Sequence, residues 1–329
     1  PALGGSTGDI DIWNATTGVA CTVNYGTGAQ AYLTGARTNY DLLTVQDTTI
    51  VCNNLITVAK IADPAFVANK QATLTLSGTS ISITYTIVIQ GTTITVTTDS
   101  DDTYSDALTK IKTAIDSQST TSSWGLTVTK LQNTLQITRA SAFTITATGG
   151  ATSTSIEVFQ DQVDSITQLP VQSVHNHTVK IVNSASAADT YFAKFVADNS
   201  TSGPGYWEET VDPSKSTGLN NTTMPHELVN NSTNTFTFQK ITYTSRLVGD
   251  DVTNNHPSFV GQKIQQAFFY NNRLGFLALD NVILSQSGQQ YNFYNTSAQT
   301  LTDADPIDLQ ASTTKPAALH GIIPTTQGL

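Results

Sequence analysis

Short apolar runs separated by two-residue polar turns fill residues 264–284. Asn271-Asn272 and Asp280-Asn281 divide this stretch into three apolar segments. Asn and Asp tolerate the positive φ angles of tight turns, so the pattern predicts a meander of antiparallel hairpins. We expect blade-like hairpins over residues 236–290, within a mainly β fold that has a propeller-like or platform-like body.

A different pattern occupies residues 68–157. Thr and Ser alternate with apolar residues over 72–98 and again over 125–148. That alternation has the period of strands with one buried face. The pattern predicts a small inserted α+β module of strands, one helix and strands, which interrupts a β body at 1–67 that continues at 158–329.

The predicted helix lies between the two sets of strands. Apolar side chains recur at helical spacing from Tyr104 to Ile115, and Thr103 is the predicted N-cap with Asp106 as its capping-box partner. A hairpin turn is expected at Gln132-Asn133. Other strands are predicted at 19–25, 30–33 and 236–245, as a hairpin at 41–51 around Gln46-Asp47, and as a hairpin of 177–183 with 189–198 around a loop at 184–188.

The composition and charge of the chain disfavour some classes of function. Only 12% of the 329 residues are charged, compared with about 25% in typical soluble domains, and abundant Thr suits pleated sheets. The net charge is −10 and the pI is about 4.7. An acidic chain is a poor candidate for holding nucleic acid, because phosphate contacts need Lys and Arg. Its charge is compatible with letting DNA pass without binding.

The two cysteines, Cys21 and Cys52, are too few for a disulfide scaffold. We predict two free, buried thiols, although a bridge between neighbouring strands stays open. The sequence has no apolar run near eighteen residues, so no membrane span is predicted.

Histidines are the first candidates for chemistry. His175 and His177 share a face if they lie on a strand, but no Cys or carboxylate motif accompanies them, so we expect a solvent-exposed pair rather than a metal site. His226 follows a proline and His256 precedes one. For these two we expect local hydrogen bonding in turns rather than general base catalysis.

Carboxylates cluster at Asp303, Asp305 and Asp308. Calcium is one interpretation, but the glycine and closing glutamate of an EF-hand loop are missing. The simpler interpretation is a turn in which Asp side chains accept hydrogen bonds from backbone amides. The same interpretation applies to Asp250 and Asp251.

Arg246 and Arg273 are rare cations in this region. We expect each to pair with nearby carboxylates, within the subunit or across an interface.

Glu208 and Glu209 beside Trp207 suggest a glycosidase, with two carboxylates and an aromatic platform. Adjacent residues on a strand point to opposite faces, so this pair cannot flank one bond. The sequence shows no nucleophile elbow, phosphate loop or dinucleotide fingerprint. We predict no enzyme activity, no catalytic residues, no cofactor and no metal.

Six sequence words carry a resemblance to a known family. They are MPHELV (224–229), GDDVTNNHPSFVG (249–261), FFYNNRLGFL (268–277), NVILS (281–285), YNFY (291–294) and DADPID (303–308). In order and spacing the chain resembles the podovirus tail nozzle family, also called tail tubular protein B. Weaker similarity at 47–54, 177–195 and 204–209 extends the resemblance over most of the chain. The resemblance implies an N-terminal-side portion of a longer protein.

The resemblance also implies a function. The chain would be a virion structural protein, assembled in the host cytoplasm. Six copies would form a ring that contacts the tail adaptor (tail tubular protein A) and tail fibres, and DNA would leave through the ring without specific binding. We expect interface or structural roles for eight residues: Trp207, Arg246, Asp250, Asp251, Arg273, Asp303, Asp305 and Asp308. Two alternatives are a carbohydrate-binding or depolymerising tail component that uses Tyr206 and Trp207, and a trimeric fibre subunit.

Overall fold

The computed structural model describes residues 2–3, 8–77, 82–149, 155–183, 189–311, 318–323 and 325. The fold is mainly β, with a single α-helix in the described part of the chain. The first elements are β1 (Ala2–Leu3), β2 (Ile10–Asp11), β3 (Thr22–Tyr25), β4 (Tyr40–Val45), β5 (Thr48–Asn53), β6 (Gln71–Leu76), β7 (Thr84–Ile89), β8 (Thr92–Thr97), α1 (Tyr104–Thr121), β9 (Thr127–Lys130), β10 (Thr134–Thr138), β11 (Ile145–Gly149) and β12 (Ile156–Phe159). The remaining strands are β13 (Gln162–Val163), β14 (Gln172–Val174), β15 (Thr178–Ile181), β16 (Tyr191–Ala197), β17 (Ser202–Thr210), β18 (His226–Ser232), β19 (Thr235–Lys240), β20 (Gln266–Tyr270), β21 (Arg273–Ala278), β22 (Asn281–Leu284) and β23 (Ile307–Gln310).

The chain divides into two compact units. Unit 1 comprises residues 1–63 and 215–329, and unit 2 comprises 64–214. Residues 158–214, which the sequence analysis placed in the body, therefore cluster with the helical module. The limits of the domains as independent folding units stay a prediction.

Unit 1 contains a five-stranded sheet in the order β3-β19-β18-β5-β4. All its pairs are antiparallel except β3 with β19, which is parallel. Val51, Leu228 and Phe238 on this sheet pack with Tyr32 and Leu33 in one core cluster. The β4–β5 hairpin turns at Gln46, whose φ is 55°, at the predicted place.

The second sheet of unit 1 is the antiparallel meander β20-β21-β22-β23. Every residue of β21 is buried, so this strand crosses the core. Phe259, Phe276 and Phe293 pack there with ring centroids 5.3–5.9 Å apart. The predicted hairpins are confirmed over β20–β22, and Asn271 and Asn272 both have positive φ.

In unit 2, two sheets and α1 form a helix-on-sheet module. The sheets run β11-β7-β8 and β12-β6-β10-β9. Leu108, Ile111 and Ile115 of α1 are fully buried in its core, which stabilises by about 1.5–3 kcal/mol per side chain. The predicted cap is confirmed, since the Thr103 side chain accepts from the Asp106 amide and Asp106 accepts from the Thr103 amide.

The rest of unit 2 is a five-stranded sheet in the order β13-β15-β16-β17-β14. The predicted hairpin of 177–183 with 189–198 is confirmed by the antiparallel pair β15–β16. Its predicted loop at 184–188 lies outside the described residues.

Some strand predictions were wrong. Gln30–Tyr32 forms a 3₁₀ helix. Ala29 and Tyr32 are both buried, and their spacing of three residues suits a helical turn rather than a strand. The strand predicted at 236–245 ends at Lys240, and the one predicted at 19–25 begins at Thr22.

Both cysteines are free, as predicted, but only Cys52 is buried and Cys21 is half-exposed. Burial raises the pKa of the Cys52 thiol. Among the described residues, no helix is long and apolar enough to cross a membrane.

Candidate functional site at two buried arginines

The chain leaves unit 1 after Asp63 and returns at Lys215. We call the two segments beside this insertion, 58–63 and 215–220, the neck. They pair with each other: the Ile61 amide donates to the Gly218 carbonyl at 2.9 Å, and the Asn220 amide donates to the Ala59 carbonyl at 2.8 Å. The neck therefore closes unit 1 where residues 64–214 are inserted.

A carboxylate strengthens the neck. One oxygen of Asp63 accepts from the Ser216 amide at 2.8 Å and from Lys60 Nζ at 2.6 Å. These hydrogen bonds lower the pKa of the Asp63 carboxyl, with the Lys60 bond contributing most. Asp63 was missed by the sequence analysis, because no local pattern marks a contact across 153 residues of chain.

Arg246 joins the neck to the loop that follows Arg246 in the chain. The Arg246 side chain is fully buried. Its Nη2 donates to the Ser216 carbonyl at 2.6 Å. Its Nη1 donates to Asp251 Oδ1 at 3.0 Å and to the Asn254 carbonyl at 3.1 Å. The predicted pairing of Arg246 with a carboxylate is confirmed within the subunit, and the guanidinium fork binds two segments at once.

Asp251 is shared between two cations. Its second oxygen lies 3.0 Å from Lys215 Nζ, which is also in the neck. Burial alone would raise the pKa of the Asp251 carboxyl, but the hydrogen bonds from Arg246 and Lys215 outweigh it and lower the pKa to about 2. Asp251 is thus ionised at neutral pH and bridges the neck and Arg246.

The loop around Asp251 is held by its own polar side chains. Asp250 Oδ1 accepts from the Val252 and Thr253 amides at 2.8 and 2.9 Å. The Asn254 side chain donates to the carbonyls of Val248 and Asn295. Asp250 therefore holds backbone amides, which is the arrangement that the turn interpretation expected.

His256 completes this network. Its Nδ1 lies 2.8 Å from the Tyr294 hydroxyl, and its Nε2 lies 3.9 Å from Asp251 Oδ1. Burial, followed by the nearby positive charge of Arg246, lowers the pKa of His256 to about 4. The imidazole is therefore neutral at pH 7 and packs as a hydrogen-bonding side chain.

Arg273 forms the second buried centre. Its Nη1 donates to the carbonyls of Ser285 and Asp305, and its Nη2 donates to the carbonyl of Asp303, each at 2.7 Å. Within the subunit, Arg273 therefore binds main-chain carbonyls rather than carboxylates, and a carboxylate partner across an interface stays a prediction. The turn at 303–305 points its main-chain carbonyls at the guanidinium, whose five N–H donors match several acceptors.

Two of the three carboxylates of this segment accept hydrogen bonds from main-chain amides and hydroxyls. Asp305 is buried and accepts from the amides and hydroxyls of Thr296 and Thr302. Asp308 accepts from the amide and hydroxyl of Ser258 at 2.7 and 2.6 Å. Within the described residues, no group of three or more His, Cys, Asp or Glu side chains is placed to hold a metal ion.

Trp207 lies in unit 2 and is not an open aromatic platform. It is half-buried, its Nε1 donates to the Pro170 carbonyl at 2.8 Å, and its ring meets those of His177 and Phe195 edge-on. Glu208 pairs with Lys194 at 3.0 Å. The geometry gives Trp207 a packing role.

His177 corrects the prediction of an exposed histidine pair. It is 3% exposed, and its Nδ1 lies 2.8 Å from Ser173 Oγ while its Nε2 lies 3.5 Å from Gln136 Nε2. Burial lowers the pKa of His177 to about 3. The Nδ1 of His175 accepts from the Ala197 amide. Period-two alternation fails here because residues 175–177 form a turn between β14 and β15.

His226 is also buried and hydrogen-bonded locally, as expected. Its Nδ1 lies 2.8 Å from the Met224 carbonyl, and its ring stacks on Tyr32 at 4.1 Å. Burial lowers the pKa of His226 to about 4. His175, His177, His226 and His256 thus act in packing and hydrogen bonding.

Comparison with known proteins shows which family the chain resembles. The tail tubular protein gp12 of Escherichia phage T7 is 37% identical over 166 residues, which are 50% of this chain and 20% of that protein. The chain thus matches only a small part of the length of this relative. A model of the family described as bacteriophage nozzle protein matches residues 4–329, which is nearly the whole chain. The chain therefore belongs to the bacteriophage nozzle protein family, a family of structural components of the phage tail.

Proposed function

We propose that this chain is part of a tail nozzle subunit whose copies, six by resemblance, form a ring around the channel through which DNA leaves the virion. The family match over residues 4–329 carries this proposal. In support, the T7 relative bears the name tail tubular protein. The net charge of −10 favours passage of DNA over binding, because like charges repel.

A ring needs two different surfaces on each subunit that fit each other. Unit 1 presents a groove of about 480 Å³ whose lining includes Val252 and Leu301. These side chains are 71% and 72% exposed, and exposed apolar patches mark interaction sites. We propose that a neighbouring copy covers this groove. Arg246, Asp250 and Asp251 hold the loop that carries Val252 in a fixed shape.

The remaining roles follow from this assignment. The meander β20–β23 would be one blade of a propeller-like or platform-like body. The tail adaptor and tail fibres would contact the assembled ring, after assembly in the host cytoplasm. The role is structural rather than enzymatic. Trp207, one of the two aromatic residues of the depolymerase alternative, donates to the Pro170 carbonyl and packs in unit 2, whereas Tyr206 is exposed.

Native mass spectrometry of the full-length natural protein tests ring formation. Six copies in one complex are expected, whereas three copies would support the fibre alternative and contradict the proposal. The variant Val252→Asp places a charge in the proposed contact and is expected to lower the fraction of hexamer. Val171→Asp is the matched control, since Val171 is 72% exposed and lies in unit 2.

A further inference from the structure

Unit 1 has a second cavity, which the ring proposal does not use. Its volume is about 210 Å³. It lies between the turn of the β4–β5 hairpin at Gln46, the turn of the β20–β21 hairpin at Asn272, and the part of the β22–β23 connection that carries Gln290 and Tyr291. Three separate segments thus build one recess.

The inner surface of the recess is apolar. Ile50 and Leu274 are buried at 4% and 2% exposure, and both line it. Phe269 and Tyr291 are half-buried and line it as well. The Tyr291 hydroxyl donates to Glu227 Oε2 at 3.0 Å, which fixes the ring. Two aromatic rings and two aliphatic side chains therefore offer an apolar surface to a ligand.

The outer part of the recess carries amides. The side chains of Gln46, Asn272 and Gln290 line it, and each residue is exposed. None of these three side chains has a hydrogen bond to another residue in the described ranges. Thr48 adds a hydroxyl group. Amides and hydroxyls both donate and accept, so the recess offers free hydrogen-bonding groups of both kinds.

Asn272 is held in place by its turn. Asn271 and Asn272 have φ angles of 47° and 60°, as a two-residue hairpin turn of type I′ requires. The Asn272 carbonyl accepts from the Gly288 amide at 3.0 Å. The backbone of Asn272 is therefore fixed before any ligand arrives, so that binding has to order only its side chain.

No Asp, Glu, Lys or Arg side chain belongs to the described lining. That composition disfavours phosphates, carboxylates and metal ions as ligands, because these need opposite charge. A sugar ring has an apolar face of C–H groups and a rim of hydroxyls that donate and accept. We propose that this recess binds one neutral pyranose ring, with Phe269 and Tyr291 against its C–H face and the three amides on its hydroxyls.

The inference is independent of ring formation and differs from the glycan alternative at Trp207. The probes are the methyl pyranosides of glucose, galactose and mannose, which represent a ring linked within a glycan. Saturation-transfer NMR on this chain is expected to detect at least one of them. The expected dissociation constant is on the order of 1 mM, typical of a small open site.

Two substitutions at neighbouring positions give a matched test. Asn272→Gly keeps the positive φ angle and removes the amide from the recess, whereas Asn271→Gly changes the same turn at a residue outside the lining. Asn272→Gly is expected to weaken binding about tenfold, the effect of one or two lost hydrogen bonds. Asn271→Gly and the parent chain are expected to bind alike.

A second variant is needed in case Asn272→Gly disturbs the Asn271-Asn272 turn itself. Gln290→Ala removes another amide from a loop outside that turn and is expected to weaken binding in the same direction. Absence of saturation transfer from all three pyranosides would overturn the proposal. Binding that Asn272→Gly and Gln290→Ala leave unchanged would also overturn it, because the sugar would then lie elsewhere.

Discussion

The buried side chain of Arg246 holds two segments of unit 1 together. Its guanidinium binds the neck through Ser216 and the following loop through Asp251 and Asn254. The sequence predicts a partner for Arg246, since carboxylates follow it closely. It does not predict the Ser216 carbonyl, because that contact depends on the path of a segment 30 residues earlier.

Replacing Arg246 should therefore destabilise unit 1. Arg246→Met keeps the apolar stem and leaves the Ser216 and Asn254 carbonyls without their donor. We expect the free energy of unfolding to fall by about 3 kcal/mol, mostly from the buried carbonyls, because Asp251 is partly exposed and keeps Lys215. Urea unfolding measures the change. Arg37→Met, at an exposed arginine, should stay within about 0.5 kcal/mol. Equal effects of the two variants would contradict the assigned role of Arg246.

Buried histidines should make the fold sensitive to mild acid. The pKa of His177 falls to about 3 in the folded chain because of burial, whereas an unfolded His titrates near 6.5. Between these values the unfolded chain binds a proton that the folded chain does not. Stability therefore decreases as pH falls from about 6.5, by up to about 1.4 kcal/mol per pH unit for this one group.

The variant His177→Gln isolates this effect. It cannot take up the proton, so the slope of unfolding free energy between pH 6.5 and 5 should be smaller than in the parent chain by up to about 1.4 kcal/mol per pH unit. Denaturant unfolding at several pH values measures both slopes. His175→Gln is the control at a partly exposed neighbour. An unchanged slope in His177→Gln would show that His177 is protonated in the folded state.

At the scale of elements, local patterns predicted the features whose causes are local. The capping box of α1 and the Asn271-Asn272 turn depend on residues within a few positions of each other, and both form as expected. Gln30–Tyr32 was predicted as a strand but forms a 3₁₀ helix, because Tyr32 is buried in the core of unit 1. Tertiary packing overrides propensity most easily in such short segments.

The capping box gives a prediction for α1. Thr103→Ala removes the side-chain acceptor for the Asp106 amide and should lower the free energy of unfolding by about 1 kcal/mol. Thr113→Ala changes the same residue type at an exposed position inside the helix, where Ala is the better helix former, so no loss is expected. Thermal and urea unfolding of both variants test this difference. A loss for Thr113→Ala as large as for Thr103→Ala would contradict a specific capping role.

For the whole molecule, the sequence predicts an insertion at 68–157, and the compact unit that contains it has other limits. The Thr-rich alternation ends near residue 150, which suggested a boundary at 157. The compact unit continues to Ser214. Contacts such as Gln71 Nε2 to the Thr178 carbonyl at 2.8 Å join its two parts, and they are too distant in sequence for a local pattern to reveal.

Two deletion variants test whether the insertion comprises residues 64–214 or residues 68–157. Joining Asp63 to Lys215 through a short Gly-Ser linker should leave unit 1 folded, since the Ser216 amide already contacts Asp63 at 2.8 Å. Removing only 68–157 should yield a less stable product, because His177 loses its neighbour Gln136. Near-ultraviolet circular dichroism and cooperative urea unfolding report the outcome. A folded product from the second deletion alone would support the boundaries at 67 and 157.

We propose above that this chain belongs to a ring-forming nozzle subunit. Cryo-electron microscopy of the phage tail would show the ring itself. We expect a six-fold ring around an open axial channel, with unit 1 fitting the map and a neighbouring copy covering Val252 and Leu301. A ring or spike of three copies, or density for this chain away from the tail axis, would refute ring formation by this subunit.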